Sequence, residues 1–269
     1  MNSNDIFVRS HDGGFYSCCS LRLHYLIEYY NYFKKIPVVY DCKGFYTWYK
    51  KPDRINDEIT FDYFKHYNDV VDEDAKIKYN REIDYREHYQ YKKFHKLDYE
   101  GLKPFIKKYF TPNEEILKIK KTIEDKYNID YDNICVLFYR GNDKATETLL
   151  PSFDEYLEEA NKILEKEKNN PKFKFLIQSD ETNFINEMKE NFPNHIIFYD
   201  EIRHMPRSSS SVDIIYKDKN YEYSKLYLAI MLIMSQCKYI ISGCGNNPLW
   251  MYFFRGHLNN FKVISDIDF

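Results

Sequence analysis

The chain has no long apolar run. Nowhere in its 269 residues does a hydrophobic stretch approach the roughly 18 residues that mark a membrane span, and the start, Met1-Asn2-Ser3-Asn4-Asp5-Ile6-Phe7, has neither the basic region nor the apolar core of a signal peptide. Membrane insertion is not expected, and a soluble, cytoplasmic protein is. Clustered cysteine is missing too. Cys18, Cys19, Cys42, Cys135, Cys237 and Cys244 contain no Cys-x-x-Cys pair, and three of them lie in apolar segments, which fits reduced core thiols better than a disulfide framework or a zinc site. The eight histidines form no His-x-x-x-His pair. Asp-x-Asp patterns occur at Asp72-Glu73-Asp74, Asp130-Tyr131-Asp132 and Asp266-Ile267-Asp268, but none ends a strand-like run, so no metal site is assigned. Charge of one sign is also lacking. The formal net charge is −3, with Lys and Arg interleaved among Asp and Glu, so no positive stripe points to nucleic acid.

What is present is a globular composition, 43% apolar, in a chain long enough to bury one large core or two modest ones. Its 27 tyrosines and 20 phenylalanines, with abundant Lys, Asn and Ile, fit coding from an AT-rich genome such as that of a large DNA virus or a protist. From Ile134 onward the pattern alternates: strands at 134–139, 173–178, 196–199 and 238–242, and helices at 152–168, 181–191, 223–236 and 246–255. Ser152-Phe153-Asp154-Glu155 is a capping box, followed by an apolar stripe of Phe153, Leu157, Ala160 and Leu164. Thr111-Pro112-Asn113-Glu114 reads as an N-cap Thr with Pro at the first helical position, opening a helix to about Tyr127. Earlier, Asp12-Gly13-Gly14-Phe15-Tyr16-Ser17 precedes a helix over 17–33 and a strand over 36–40, and Arg81 to Lys96 reads as a polar helix. Alternating strands and helices imply parallel sheets of an α/β fold. Arg203 to Lys219, with four consecutive serines, has no period and reads as a surface insertion rather than a lid.

The chemistry concentrates where the strand at 134–139 ends, in Arg140-Gly141-Asn142-Asp143-Lys144-Ala145-Thr146-Glu147. Open α/β sheets bind ligands beyond the carboxyl ends of their strands. Two cations there can neutralise a diphosphate, and a neighbouring carboxylate can take a proton from a nucleophile.

The run Tyr139 to Glu147 is similar to the Arg-Arg-Thr-Asp-Lys-Val-Gly-Thr-Glu motif of α-1,6-fucosyltransferases and, more loosely, to the arginine motif of protein O-fucosyltransferases. The order continues: Ser179-Asp180-Glu181 resembles the Thr-Asp-acidic turn, Phe192-Pro193-Asn194 the Tyr-Pro-Asn segment, and Met234 to Ile241 the Leu-Ser-Gln-Ala-Asp-Phe-Leu-Val segment before a small-residue turn. Gly13-Gly14 resembles the glycine-rich turn of the first domain. The resemblance implies a GT-B-like α/β fold, two Rossmann-like domains with parallel sheets facing across a cleft, here residues 1–120 on the acceptor side and 121–269 on the nucleotide-sugar side. It implies inverting, metal-independent transfer from a nucleotide sugar, GDP-fucose first, to a glycan or protein hydroxyl, with no further cofactor.

Carried over by position, Arg140 meets the leaving phosphate and Lys144 assists; Glu147, which falls one position before the motif's closing glutamate and is matched to it through a local gap, is the base, with Asp143 in reserve. Gly13, Gly14, Ser17, Ser179, Asp180, Gly245 and Asn246 are further donor-binding candidates. The chain departs from the family where Phe138 and Ile230 occupy the positions of its guanine-contacting histidine and aspartate, and where Gly141 replaces the second arginine. A different nucleotide sugar, a non-catalytic sugar- or nucleotide-binding protein, and an interaction module on the tyrosine-rich surface therefore stand as alternatives.

Overall fold

The computed structural model describes residues 5–36, 39–67, 76–77 and 93–264. Two all-parallel sheets carry the chain. The smaller has the order β2-β1-β3, with β1 Asp5–Ser10, β2 Val39–Gly44 and β3 Lys76–Ile77. Ile6 pairs with Val39 and Ser10 with Gly44, with a register shift between Val8 and Ser10. The His11 N–H prolongs this ladder to Gly44 O at 3.0 Å. The larger sheet has the order β6-β5-β4-β7-β8, formed by β4 Ile134–Tyr139, β5 Lys174–Ser179, β6 His195–Ile196, β7 Tyr239–Ser242 and β8 Phe261–Val263. All six residues of β4 are buried, as the centre of a covered parallel sheet requires. Strands are added first on the β5 side of β4 and then on the β7 side, so the order reverses between β4 and β7. That reversal is a switch point, where loops leaving adjacent strand ends open a crevice.

Eight helices of the described residues surround the sheets: α1 Phe15–Phe33, α2 Tyr99–Tyr109, α3 Glu114–Tyr127, α4 Phe153–Lys166, α5 Thr182–Asn191, α6 Val212–Ile215, α7 Asn220–Gln236 and α8 Asn246–Arg255. α1 and α7 are buried on most of their circumference, the signature of internal helices. They join the two sheets. Ser20 of α1 accepts a hydrogen bond from Trp250 Nε1 (2.9 Å) and donates to Asn246 Oδ1 (2.6 Å), while Tyr63 OH meets Ser224 Oγ of α7 at 2.8 Å. Buried side chains from Phe15 to Ile264 form one continuous cluster.

Most elements fall where their periodicity places them, with local corrections. β6 ends at Ile196, and β2 runs on to Gly44, with residues 37–38 of the strand expected over 36–40 outside the described residues. α3 is capped by Asn113, whose Oδ1 accepts the Ile116 N–H at 3.0 Å; Thr111 instead donates to Lys107 O at the end of α2. Proline at 112 bridges to Phe64, outside the helix. The Ser152–Glu155 capping box of α4 is present, but its buried face is centred on Tyr156 and Ala160, and Leu164 is 41% exposed. Residues 81–92 of the expected polar helix lie outside the described residues. Cys18, Cys19, Cys42, Cys135 and Cys237 are buried thiols.

Candidate active site

A cavity of about 330 Å³ opens at the carboxyl ends of both sheets. The first sheet supplies His11 to Ser17 after β1, and Trp48 and Tyr49 after β2. The second supplies Arg140, Asp143, Lys144 and Glu147 after β4, Gln178 and Asp180 from the end of β5, and Cys244 to Pro248 after β7. α7 adds Tyr223, Ser224 and Tyr227.

Arg140 is held from two sides. Its Nε donates to Asp180 Oδ2 and its Nη2 to Asp143 Oδ1, both at 2.9 Å, and Nη1 has no hydrogen-bonded acceptor among the described residues. Burial opposes its charge, but the carboxylates of Asp180 and Asp143 outweigh that and keep the guanidinium pKa above its ordinary value. The other oxygen of Asp180 accepts the Gly141 N–H at 2.9 Å, so one carboxylate from β5 fixes both the side chain and the backbone turn after β4. Gly141 leaves room for Glu181: a Cβ there would lie 2.0 Å from Glu181 Oε2. That carboxyl is buried, and burial pushes its pKa up against the opposing pull of Arg207. Asn142, in the left-handed region at φ 46°, donates to Asp180 O at 2.6 Å and accepts the Ser208 N–H at 3.0 Å.

Lys144 crosses the switch point. Its Nζ pairs with Glu147 Oε2 at 2.5 Å, and its Cε would lie 3.4 Å from a Cβ at Gly245, whose φ of +128° also demands glycine. On the other side, Gly14 caps α1 without a side-chain bond, and the Phe15 N–H donates instead to Tyr49 OH at 2.8 Å. Tyr49 OH in turn donates to Asp213 Oδ2 at 2.9 Å, and Arg203 Nη2 meets Asp213 Oδ1 at 2.6 Å. His11 Nε2 lies 2.9 Å from Ser17 Oγ, and burial lowers the pKa of the ring despite Asp12 beside it.

Of the residues singled out from the sequence, Arg140, Asp143, Lys144, Glu147, Asp180, Gly13, Gly14, Ser17, Gly245 and Asn246 line this one cavity. Ser179 does not: it is fully buried and its hydroxyl accepts the Glu181 N–H at 2.9 Å. Phe138 and Ile230 are buried and do not line this cavity; Phe138 lines a smaller adjoining pocket that shares Arg140 and Lys144 with it. The stretch read as a surface insertion is part of the site, since Arg203, Ser211, Val212 and Asp213 line the cavity and Met205 bridges to Glu181. Tyr49, Tyr223 and Tyr227 were hidden among 27 tyrosines, and Trp48, one of two tryptophans, lies in a segment with no motif or spacing to mark it. Among the described residues, no group of three or more His, Cys, Asp or Glu is arranged to hold a metal ion, and no helix is long and apolar enough to cross a membrane. Asp130 and Asp132 precede β4, at the opposite end of the strand from Arg140, and the other two Asp-x-Asp triplets lie outside the described residues.

Two parallel sheets with a polar cavity at their carboxyl ends define an open α/β fold whose crevice lies beyond the strand ends. Its particular form is fucosyltransferase-like. A crystal structure of NodZ α-1,6-fucosyltransferase soaked with GDP-fucose is similar at a TM-score of 0.50 and 12% identity, over 89% of this chain and 88% of that one. A structure of fucosyltransferase NodZ from Bradyrhizobium is similar at 0.48 and 13% identity, over 88% of each chain. No family model and no curated protein matches the sequence.

Proposed function

We propose that the chain is a glycosyltransferase of GT-B type, in which Rossmann-like units over residues 1–120 and 121–269 enclose a nucleotide sugar between them. The reading rests chiefly on Arg140: it stands at the switch point of the larger sheet, is fixed by Asp180 at the end of the neighbouring strand, and keeps Nη1 without an acceptor among the described residues. Such a guanidinium suits a phosphate better than a lysine would, because its fork is rigid and already oriented.

In the proposed reaction an acceptor hydroxyl oxygen attacks the anomeric carbon of the donor. The bond from that carbon to the diphosphate oxygen breaks on the opposite face, which inverts the configuration. Negative charge grows on the leaving diphosphate, and Arg140 and Lys144 stabilise it without a metal ion. A diphosphate competes with Glu147 for Lys144 Nζ; the carboxylate so released accepts the proton of the acceptor hydroxyl, with Asp143 as the alternative. GDP-fucose is the first donor to test, the fold of the fucosyltransferase structures being the reason. Phe138 and Ile230 favour a second donor reading, another nucleotide sugar, because neither reaches the cavity.

Calorimetric titration with a panel of sugar nucleotides and free GDP tests the proposal. One donor should bind the protein and fail to bind Arg140→Ala. In the Glu147→Gln variant, turnover of that donor should fall by about 10²- to 10⁴-fold while its affinity holds, the usual range for loss of a general base. Absence of binding by every nucleotide would exclude transfer and leave the non-catalytic reading.

A further inference from the structure

The chain leaves β5 through three polar residues, Gln178, Ser179 and Asp180, and two of them are satisfied within the protein. Asp180 gives one oxygen to Arg140 and the other to the Gly141 N–H, and Ser179 Oγ accepts the Glu181 N–H. Gln178 is different. It is 4% exposed and lines the cavity, yet its Oε1 meets no hydrogen-bond donor among the described residues. A second such atom lies in the same wall. Tyr16 of α1 is 2% exposed and lines the cavity edge-on to Tyr227, with ring centroids 5.8 Å apart, and its hydroxyl also has no partner among the described residues. A buried polar atom left unpaired costs stability that an apolar side chain of similar shape would not. Two of them lining one cavity point to a ligand that supplies the missing hydrogen bonds.

Their depth says which part of a ligand that is. Gln178 pairs in register with Phe138, two residues before Arg140. At the usual rise of a parallel strand it therefore lies about 6.6 Å further in than the Arg140 backbone, comparable with the reach from a phosphate to the base of the same nucleotide. A transferred sugar has to meet both Glu147, whose side chain is 37% exposed, and an incoming acceptor, so it belongs at the open end. The inner end is left for the base. A carboxamide presents an acceptor and a donor in one plane, which matches the flat edge of a base carrying the complementary pair. Burial pushes the Tyr16 hydroxyl pKa well up, so this group stays neutral and can donate or accept.

From this we infer that Gln178 determines which nucleotide is bound: its carboxamide pairs with the edge of the base, and Tyr16 OH supplies a further hydrogen bond to the same nucleoside. As a determinant of donor choice the pair rests on the glycosyl-transfer reading; as a base-recognition site it does not.

The test is calorimetric titration of the intact protein with GDP, UDP, ADP and CDP, and with inorganic pyrophosphate as the base-free probe. One nucleotide should bind at least about tenfold more tightly than pyrophosphate. Gln178→Met, similar in length but without the amide, should weaken that nucleotide by about tenfold or more, and Tyr16→Phe by about threefold, with pyrophosphate affinity unchanged in both. Neither change should lower the urea midpoint, because each removes an atom that no other part of the described protein pairs with. A merely structural Gln178 gives the opposite pattern, a lower midpoint with base discrimination intact, and that result overturns the inference. So does pyrophosphate binding as tightly as every nucleotide, or full nucleotide affinity in Gln178→Met; both leave Arg140 as a phosphate site and the transferase reading in place. If a nucleotide binds through Gln178 but none of its sugar derivatives is turned over, base recognition stands and the transferase reading fails. Absence of binding by every nucleotide sinks both.

Discussion

Gly141 stands where the fucosyltransferase motif has a second arginine, and the structure gives a steric reason. A Cβ at this position would lie 2.0 Å from Oε2 and 2.9 Å from Cβ of Glu181, a side chain only 1% exposed and unable to swing into solvent. Gly141→Ala should therefore destabilise the protein by about 1–3 kcal/mol, the usual cost of overpacking. Urea denaturation will measure it, and adding Glu181→Ala should recover part of the loss, since it removes the carboxyl at 2.0 Å but keeps the Cβ at 2.9 Å. An uncoupled pair would show that the close approach is not the cause. At this scale the site was half legible. Arg140, Asp143, Lys144 and Glu147 are adjacent in sequence, so their charges announce a cluster. Arg203, Asp213 and Tyr49 are far apart in the chain, and nothing in a linear pattern signals that one carboxylate joins them.

Elements were legible where a face repeats. The alternation after Ile134 reflects strands buried on both sides and helices buried on one, and the Ser152–Glu155 box is local chemistry that needs no tertiary partner. Ends were less so: Asn113, not Thr111, caps α3 because the segment before it lies extended beside residues 63–65, with the Asn113 N–H donating to Tyr63 O at 3.0 Å. The end of α4 offers a test. Glu167 accepts from Lys238 Nζ at 2.7 Å, Asn170 Nδ2 at 3.0 Å and Tyr239 OH at 2.8 Å, tying the helix to the start of β7. The hydrogen bond from Lys238, then that from Asn170, holds its pKa down at about 2. A carboxyl depressed in the folded state adds stability above its unfolded pKa and loses it as pH falls toward the folded value. Glu167→Gln should cost about 1–2 kcal/mol at neutral pH, a figure kept modest because Lys238 is partly exposed. The difference from the unmodified protein should shrink between the ordinary carboxylate range and about pH 2. A pH-independent difference would mean that shape rather than charge is responsible.

Across the whole molecule, the two sheets are joined through buried contacts rather than a bare linker: Ser20 with Trp250 and Asn246, Tyr63 with Ser224, and a continuous hydrophobic cluster from Phe15 to Ile264. Chemical unfolding should accordingly be a single transition, with tryptophan emission and far-ultraviolet circular dichroism coincident. Two separated transitions would mean that the parts of the chain carrying the two sheets are independently stable. The α/β alternation, the lack of a membrane-length apolar segment and the cluster after β4 can all be read from the linear chain, because each follows from local periodicity or adjacency. Long-range packing, by contrast, set which loops meet: those after β1, β2, β4 and β7 share one cavity, Arg203 and residues 211–213 belong to its wall, and Ser179, Phe138 and Ile230 do not. Those facts depend on strand order and long-range packing: parallel strands bring their carboxyl ends together from distant parts of the chain, and no local pattern records which ends meet.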